Sequence, residues 1–158
     1  MVKTKIITVG KLKEKAVKEI ISEYEKRLSK YTDFSVCQIQ DMSLSDNPSQ
    51  KEIDAVLEKE GNFILKNMPK NMVNVALTID GKSNSSEEFS DFIEKNKLNG
   101  GLCFIIGSSH GISKNVIDRC QHRISLSKMT FPHNLARLIL TEQIYRGFKI
   151  LNNENYHK

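Results

Sequence analysis

Five short apolar runs, each followed by a stretch with helical spacing, constrain this chain more than any other feature. "KIITV" at 5–9 is β-rich, and residues 11–29 carry Leu12, Ala16, Ile20 and Tyr24 at four-residue intervals, a helical period. "FSVCQI" at 34–39 alternates like a strand, and "DMSLSDNPS" follows as a loop. Ser49 with Glu52 makes a capping-box pair ahead of a helix to about Asn67. "VNVALTI" at 73–79 reads as a strand turned by "DGK". Ser85 with Glu88 is a second capping pair ahead of a helix to about Leu98. "GGLCFIIG" is a buried strand between glycines, "SKNVIDRC" a short helix capped by Ser113, and "RISLS" a last strand. Pro132 opens the final helix, where a missing N–H does no harm. Strand–helix alternation through one domain, 1–158, predicts an α/β fold: a mostly parallel sheet with helices on both faces. Ligand sites in such sheets lie at the carboxyl ends of the strands. The loops after Ile79, Ile106 and Leu126 are therefore the places to look.

Composition removes several classes. At 158 residues with 27% charged side chains, the chain is long enough for a core and not polar enough to stay disordered. Three irregularly spaced cysteines, Cys37, Cys103 and Cys120, suggest neither a disulfide framework nor a zinc knuckle. Cys37 and Cys103 sit in apolar runs and are expected to be buried thiols. No run reaches the roughly 20 apolar residues of a membrane span. The opening "MVKTKIITVGKLKEK" reads as no signal peptide, so a reducing cytoplasm is the expected compartment. The formal charge of +5 divides into +5 over 1–30, −5 over 31–100 and +5 over 101–158. Two basic thirds can meet and face a polyanion, or their lysines can simply solvate helix faces.

"GSSHG" at 107–111 is a strand-to-helix turn that either holds a nucleotide or merely turns tightly. It lacks the glycine and lysine spacing of dinucleotide and ATP loops. The run from Ser125 to Arg146, "SLSKMTFPHNLARLILTEQIYR", spends far more residues between strand and helix than a connection needs. The helix behind it is apolar nearly all round, with Glu142, Arg146 and Lys149 on one narrow face. A second cover is thus expected, from another subunit or from the chain itself. The polar tail "NNENYHK" matters only if it folds over a site.

"IIGSSHGI", "SLSKMTFPHNLARLILTEQIYRGFKI" and "NYHK", with "VGKLKE" and "EYEKRL" near the start, resemble the ribosomal RNA large subunit methyltransferase H family of SPOUT methyltransferases nearly end to end. The resemblance implies a C-terminal trefoil knot, although connections normally do not thread one another. It implies S-adenosyl-L-methionine as methyl donor, no metal, a homodimer, and methylation of N3 of a pseudouridine in the helix 69 loop of 23S rRNA on the assembled ribosome. It further implies that Leu77, Gly107, Leu126, Ser127, Lys128, Met129, Thr130 and Phe131 line the cofactor pocket, and that Arg146, Tyr156 and His157 do the chemistry. Adenine needs apolar walls and backbone hydrogen bonds, which these residues can supply. His157 has a suitable pKa for a base, Tyr156 can stack on one, and Arg146 can hold a phosphate or imide carbonyl. Arg146 can equally be a plain helix pair with Glu142.

Three positions depart from the family pattern. Ser108 stands at the second glycine of the usual Ile-Gly-Gly-Ser-x-Gly loop, where a positive φ would strain it. Gly147 stands where Ala is common. The Gly-x-x-Tyr-His ending has Asn153 for its glycine and Asn155 for a frequent proline. Rival readings are a non-catalytic RNA-binding or ribosome-associated module, and an α/β enzyme acting on a small nucleotide.

Overall fold

The computed structural model describes residues 1–157. Its elements, in chain order, are β1 (Lys3–Val9), α1 (Lys15–Leu28), β2 (Asp33–Ile39), α2 (Gln50–Asn67), β3 (Val73–Ser83), α3 (Ser86–Asn96), β4 (Leu102–Ile106), α4 (Lys114–Asp118), β5 (His122–Ser125) and α5 (His133–Leu151). The strands form one sheet in the order β2-β1-β4-β3-β5, parallel throughout. That is the predicted α/β class.

Side-chain alternation divides the core in two. Ile6, Val75, Leu102 and Phe104 face α1, α3 and α5 together with Leu28, Phe89, Ile93, Leu140 and Ile144. Ile7, Val9, Cys103 and Ile105 face the opposite side with Ile64 and Val116 of α2 and α4. Because β4 and the first half of β3, in the middle of the sheet, are buried on both faces, they read as apolar runs. The first and last thirds of the chain do meet: β1 pairs with β4, and α1 packs on α5.

The caps behave unequally. Ser85 and Glu88 make the full reciprocal box. The Ser49 hydroxyl accepts from the Glu52 amide at 3.2 Å, but the Glu52 carboxylate turns to Ser45 instead. Ser113 precedes α4 without a side-chain cap bond.

Four local expectations need correction. The buried stripe of α1 is Val17, Ile21, Tyr24 and Leu28, whereas Ala16 and Ile20 face out. The four-residue series gave the helix correctly but crosses this stripe, starting at buried Leu12 and meeting it at Tyr24, because both sides of the helix carry aliphatics. "DGK" does not turn β3; the strand runs on to Ser83 through a bulge, with both Leu77 and Lys82 opposite Ile124 of β5. Gly81 permits this, since a Cβ there would meet the Ile124 main chain at 2.7–2.8 Å. Pro132 is the N-cap of α5, one residue before its predicted place. Cys37 is only half-buried, although Cys103 is fully buried, its thiol pushed up to about 12 chiefly by burial.

Helix α5 lies between α1 and α3, and Leu135 is its one exposed large apolar side chain, at 40%. Most of its apolar perimeter is thus covered within the chain. The sheet order and the return of the chain through α5 are consistent with the trefoil knot the resemblance implies.

Candidate active site

Two groups of predicted residues take shape, one on loops at the sheet's carboxyl edge and one on α5. Gly107 ends β4, Leu77 lies in β3 opposite Ile124, and Leu126 to Phe131 follow β5. These three strands are adjacent, so topology gathers residues scattered over 55 positions of sequence at one edge.

Gly107 is required by close approach and not by dihedral. A Cβ would lie 2.2 Å from the Gly111 carbonyl oxygen. Gly111, at φ +96°, supplies the left-handed turn. Ser108 does not take a positive φ and carries no strain of that kind; among the described residues Asn153 is the non-glycine residue that does, at φ +54°. The Ser108 hydroxyl instead donates to Glu60 Oε1 at 2.9 Å. Glu60 is 2% exposed, and its other oxygen accepts from the Met42 amide at 3.4 Å. One buried carboxylate therefore ties the loop after β4 to the loop after β2. Sequence reasoning missed Glu60, because nothing marks it among the other acids of α2.

Leu77, Leu126, Ser127 and Phe131 are half-buried, whereas Lys128, Met129 and Thr130 are exposed, Met129 at 74%. Met129 was expected as a wall and is uncovered in the single chain. The Ser127 hydroxyl accepts from the Met129 amide at 3.0 Å. Among the described residues, the amides of Lys128 and Thr130 make no main-chain hydrogen bond. Two clefts flank this edge. One, of about 260 Å³, lies beside Ser108, Ser109 and His110; the other, of about 240 Å³, is lined by Ser86, Leu126, Ile139 and Gln143. Of the predicted cofactor residues, Leu126 alone lines either cleft.

The second group closes over α5. After α5 the chain turns at Asn153, where Glu154 pairs with Lys149 and accepts from Tyr31 Oη at 2.9 Å. That pairing holds the Glu154 carboxyl below its ordinary range. The tail then runs back along the helix. The Tyr156 ring stands edge-on to Tyr145 at 5.0 Å and beneath the Arg146 guanidinium at 4.7 Å. Its hydroxyl donates to Glu142 Oε1 at 3.1 Å and lies 3.4 Å from the Tyr24 hydroxyl. Burial first, then Tyr24 and Glu142, push the Tyr156 phenol well above its ordinary value. Arg146 also holds Glu142 Oε1, at 2.6 Å from Nη2, so the plain helix pair is present; it raises the guanidinium further. Yet Arg146 Nη1 is 3.2 Å from His157 Nδ1, and His157 Nε2 is 2.6 Å from Glu87 Oε1.

The structure thus brings Arg146, Tyr156 and His157 together and adds Glu142, Glu87 and Tyr24. The tail adds to the cover that α1 and α3 give the last helix, over Glu142, Tyr145 and Arg146. Glu87 could not be found from sequence, since its partner lies 70 positions away. No described hydrogen bond or aromatic contact joins this group to the loops at the sheet edge. Lys158 lies outside the described residues.

Residues 2–157 match a family model described as "Predicted SPOUT methyltransferase". The chain is 50% identical over 155 residues to Ribosomal RNA large subunit methyltransferase H of Clostridium botulinum strain Hall, covering 97% of this chain and 98% of the relative. It is 49% identical, with the same coverage, to the protein of that name from strain Eklund 17B. A solved structure, that of a probable methylase family protein from Haemophilus influenzae Rd KW20, shares the fold with a TM-score of 0.57 at 10% identity, covering 100% of this chain and 72% of that one. The chain belongs to the ribosomal RNA large subunit methyltransferase H family, a branch of the SPOUT methyltransferases.

Proposed function

We propose that the chain is an S-adenosyl-L-methionine-dependent rRNA methyltransferase. Its target is N3 of a pseudouridine in the helix 69 loop of 23S rRNA, it works on the assembled ribosome, and it does so as a cytoplasmic homodimer. The observation that carries this reading is the end-to-end identity of 50% to a protein named for large-subunit rRNA methylation. Three features support it: the convergence of Arg146, Tyr156 and His157, the absence among the described residues of a helix long and apolar enough to cross a membrane, and the loops at the sheet edge.

Those loops suit an adenosyl group. Leu77, Leu126 and Phe131 offer half-buried apolar surface, and the amides of Lys128 and Thr130 offer a neutral polar edge. When bound, S-adenosyl-L-methionine supplies an electrophilic methyl carbon on a sulfonium, which needs no metal. The chain's own task is to hold N3 in line and relieve it of its imide proton. Alignment contributes the larger part, roughly 7–11 kcal/mol for a well-placed pair. A positioned base adds about 10²–10⁴-fold. Arg146 anchors a phosphate or imide oxygen, Tyr156 offers a ring face, and His157 takes the proton.

A site completed by two copies reconciles the tail with the loops it does not touch. Exposed apolar side chains in β3, in the loop after β5 and at the start of α5, namely Ile79 (55%), Met129 (74%) and Leu135 (40%), give a second copy something to cover.

The test is transfer of a labelled methyl group to ribosomes lacking the modification, with calorimetric binding of S-adenosyl-L-methionine alongside. Incorporation at one pseudouridine N3 is the expected result. Ribosome affinity without cofactor binding would replace this reading with the RNA-binding module.

A further inference from the structure

His157 sits between a cation and an anion. Arg146 Nη1 approaches its Nδ1 at 3.2 Å, and Glu87 Oε1 approaches its Nε2 at 2.6 Å. A guanidinium has only donors, so Nδ1 must present its lone pair. A carboxylate has only acceptors, so Nε2 must carry the hydrogen. The two neighbours select one neutral tautomer. Behind Arg146 stand Glu142 of α5, which it holds, the Tyr156 hydroxyl, which donates to Glu142, and the Tyr24 hydroxyl of α1, 3.4 Å from that of Tyr156.

The geometry points to Glu87 as the positioning residue of His157: it holds the Nε2–H tautomer, keeps the Nδ1 lone pair aimed at Arg146, and stabilises the imidazolium when a proton arrives. The inference rests on the methyltransferase reading above. In the reaction, a phosphate or imide oxygen of the RNA takes over the Arg146 N–H, which frees the Nδ1 lone pair. The N3–H bond breaks as Nδ1–H forms. The N3 pair would then be free to take the methyl carbon that bound S-adenosyl-L-methionine would supply, the C–S bond electrons leaving with the sulfur as a neutral thioether. The positive charge then on His157 lies against Glu87, the relation a carboxylate bears to the base histidine of a hydrolytic triad. An acid in the first turn of α3 would also be favoured by the helix dipole alone. The short contact to Nε2 is what that explanation leaves out. The Glu87 carboxyl is held below its ordinary range first by its own backbone amide and then by His157.

Glu87 and His157 side chains are 63% and 29% exposed, so water limits the effect. Glu87→Gln should lower the proton affinity of His157 by about two- to fivefold, the scale of an exposed pair. The sign follows from charge. The carboxylate favours imidazolium, so its loss moves the acid limb of the kcat/KM profile to lower pH and, with a weaker base, lowers the plateau. Glu87→Asp should restore part of both. Ring ¹⁵N shifts of His157 in the labelled full chain, assigned with a His157→Gln control, give a readout independent of turnover. The Nε2–H form should dominate in the wild type, and its titration midpoint should fall in Glu87→Gln. Identical ring shifts and midpoints in both proteins would overturn the proposal, as would an unmoved acid limb despite a changed midpoint. If the wild type transfers no methyl group, the methyltransferase reading fails while the ring spectra still decide whether Glu87 governs His157.

Discussion

The Tyr156 hydroxyl donates to Glu142 Oε1 at 3.1 Å, so a residue near the end of the tail is fastened to the middle of the last helix. Tyr156 also packs against Tyr145, and the tail is therefore part of the packed structure, whatever its proposed part in the chemistry. Sequence alone predicts that removing it would leave the fold untouched; the structure revises this. Deleting Asn155 to Lys158 should cost about 1–3 kcal/mol, for one half-buried aromatic ring and the partly exposed hydrogen bonds of Tyr156 and His157. It should nearly abolish methyl transfer while changing cofactor affinity little. A thermal melt, a methylation assay and calorimetry on the same preparation check all three. Wild-type turnover by the deletion variant would sink the tail's proposed role.

The Tyr156 phenol gives a pH prediction whose sign is fixed. Its folded pKa is raised and its unfolded value is about 10. The folded state keeps this proton longer, so its contribution to stability is whole below about pH 10 and is lost as pH rises toward the folded pKa. Tyr31, also raised by burial and by Glu154, acts in the same direction. Denaturant unfolding should show an alkaline decline that Tyr156→Phe makes shallower. Glu142→Gln should lower the phenol's titration in ultraviolet difference spectra without normalising it, because burial is the larger cause.

The two serine and asparagine replacements of family glycines should respond differently. Ser108 satisfies a buried carboxylate, so Ser108→Ala should destabilise by about 1–3 kcal/mol. Asn153 holds φ +54°, a region glycine enters freely, so Asn153→Gly should be neutral or stabilising by up to about 1 kcal/mol. Equilibrium unfolding of the two variants decides; a stabilised Ser108→Ala would show that the Glu60 contact contributes nothing.

Cofactor affinity should separate Gly107 from Phe131. Any side chain at Gly107 drives into the Gly111 main chain, so Gly107→Ala must rebuild the loop, and tenfold or greater weakening is expected, about 1.4 kcal/mol or more. Phe131 is only half-buried, so Phe131→Ala should cost about 1–2 kcal/mol, near the low end for a large apolar side chain. Calorimetric titration with S-adenosyl-L-methionine measures both, and unchanged affinity in either variant removes that residue from the pocket.

The architecture was legible because parallel strands buried on both faces leave continuous apolar runs, and because Ser85–Glu88 and the glycines around β4 punctuate them. The bulge after Leu77 was not: "DGK" has a turn's composition, and only the neighbouring β5 backbone shows why Gly81 is there. Arg146, Tyr156 and His157 were found through resemblance, not patterning. Glu60 and Glu87 stayed hidden because an acid on a helix looks solvated until its distant partner is placed. Resemblance implied Met129 as an apolar wall of the cofactor pocket, but its exposure depends on what else covers that edge.

The position of α5 also bears on how the chain is made. It fills the space between α1 and α3, and the face of the sheet carrying Ile6, Val75 and Phe104 has no cover there without it. On the ribosome, the sheet, α1 and α3 that α5 must join are all synthesised before it. For about a few seconds at 5–20 residues per second, the nascent chain carries all five strands with Leu28, Phe89 and Ile93 bare. Chaperones that bind apolar segments would find their longest opportunity in that interval, and a stall shortly before His133 would leave a product that cannot bury them.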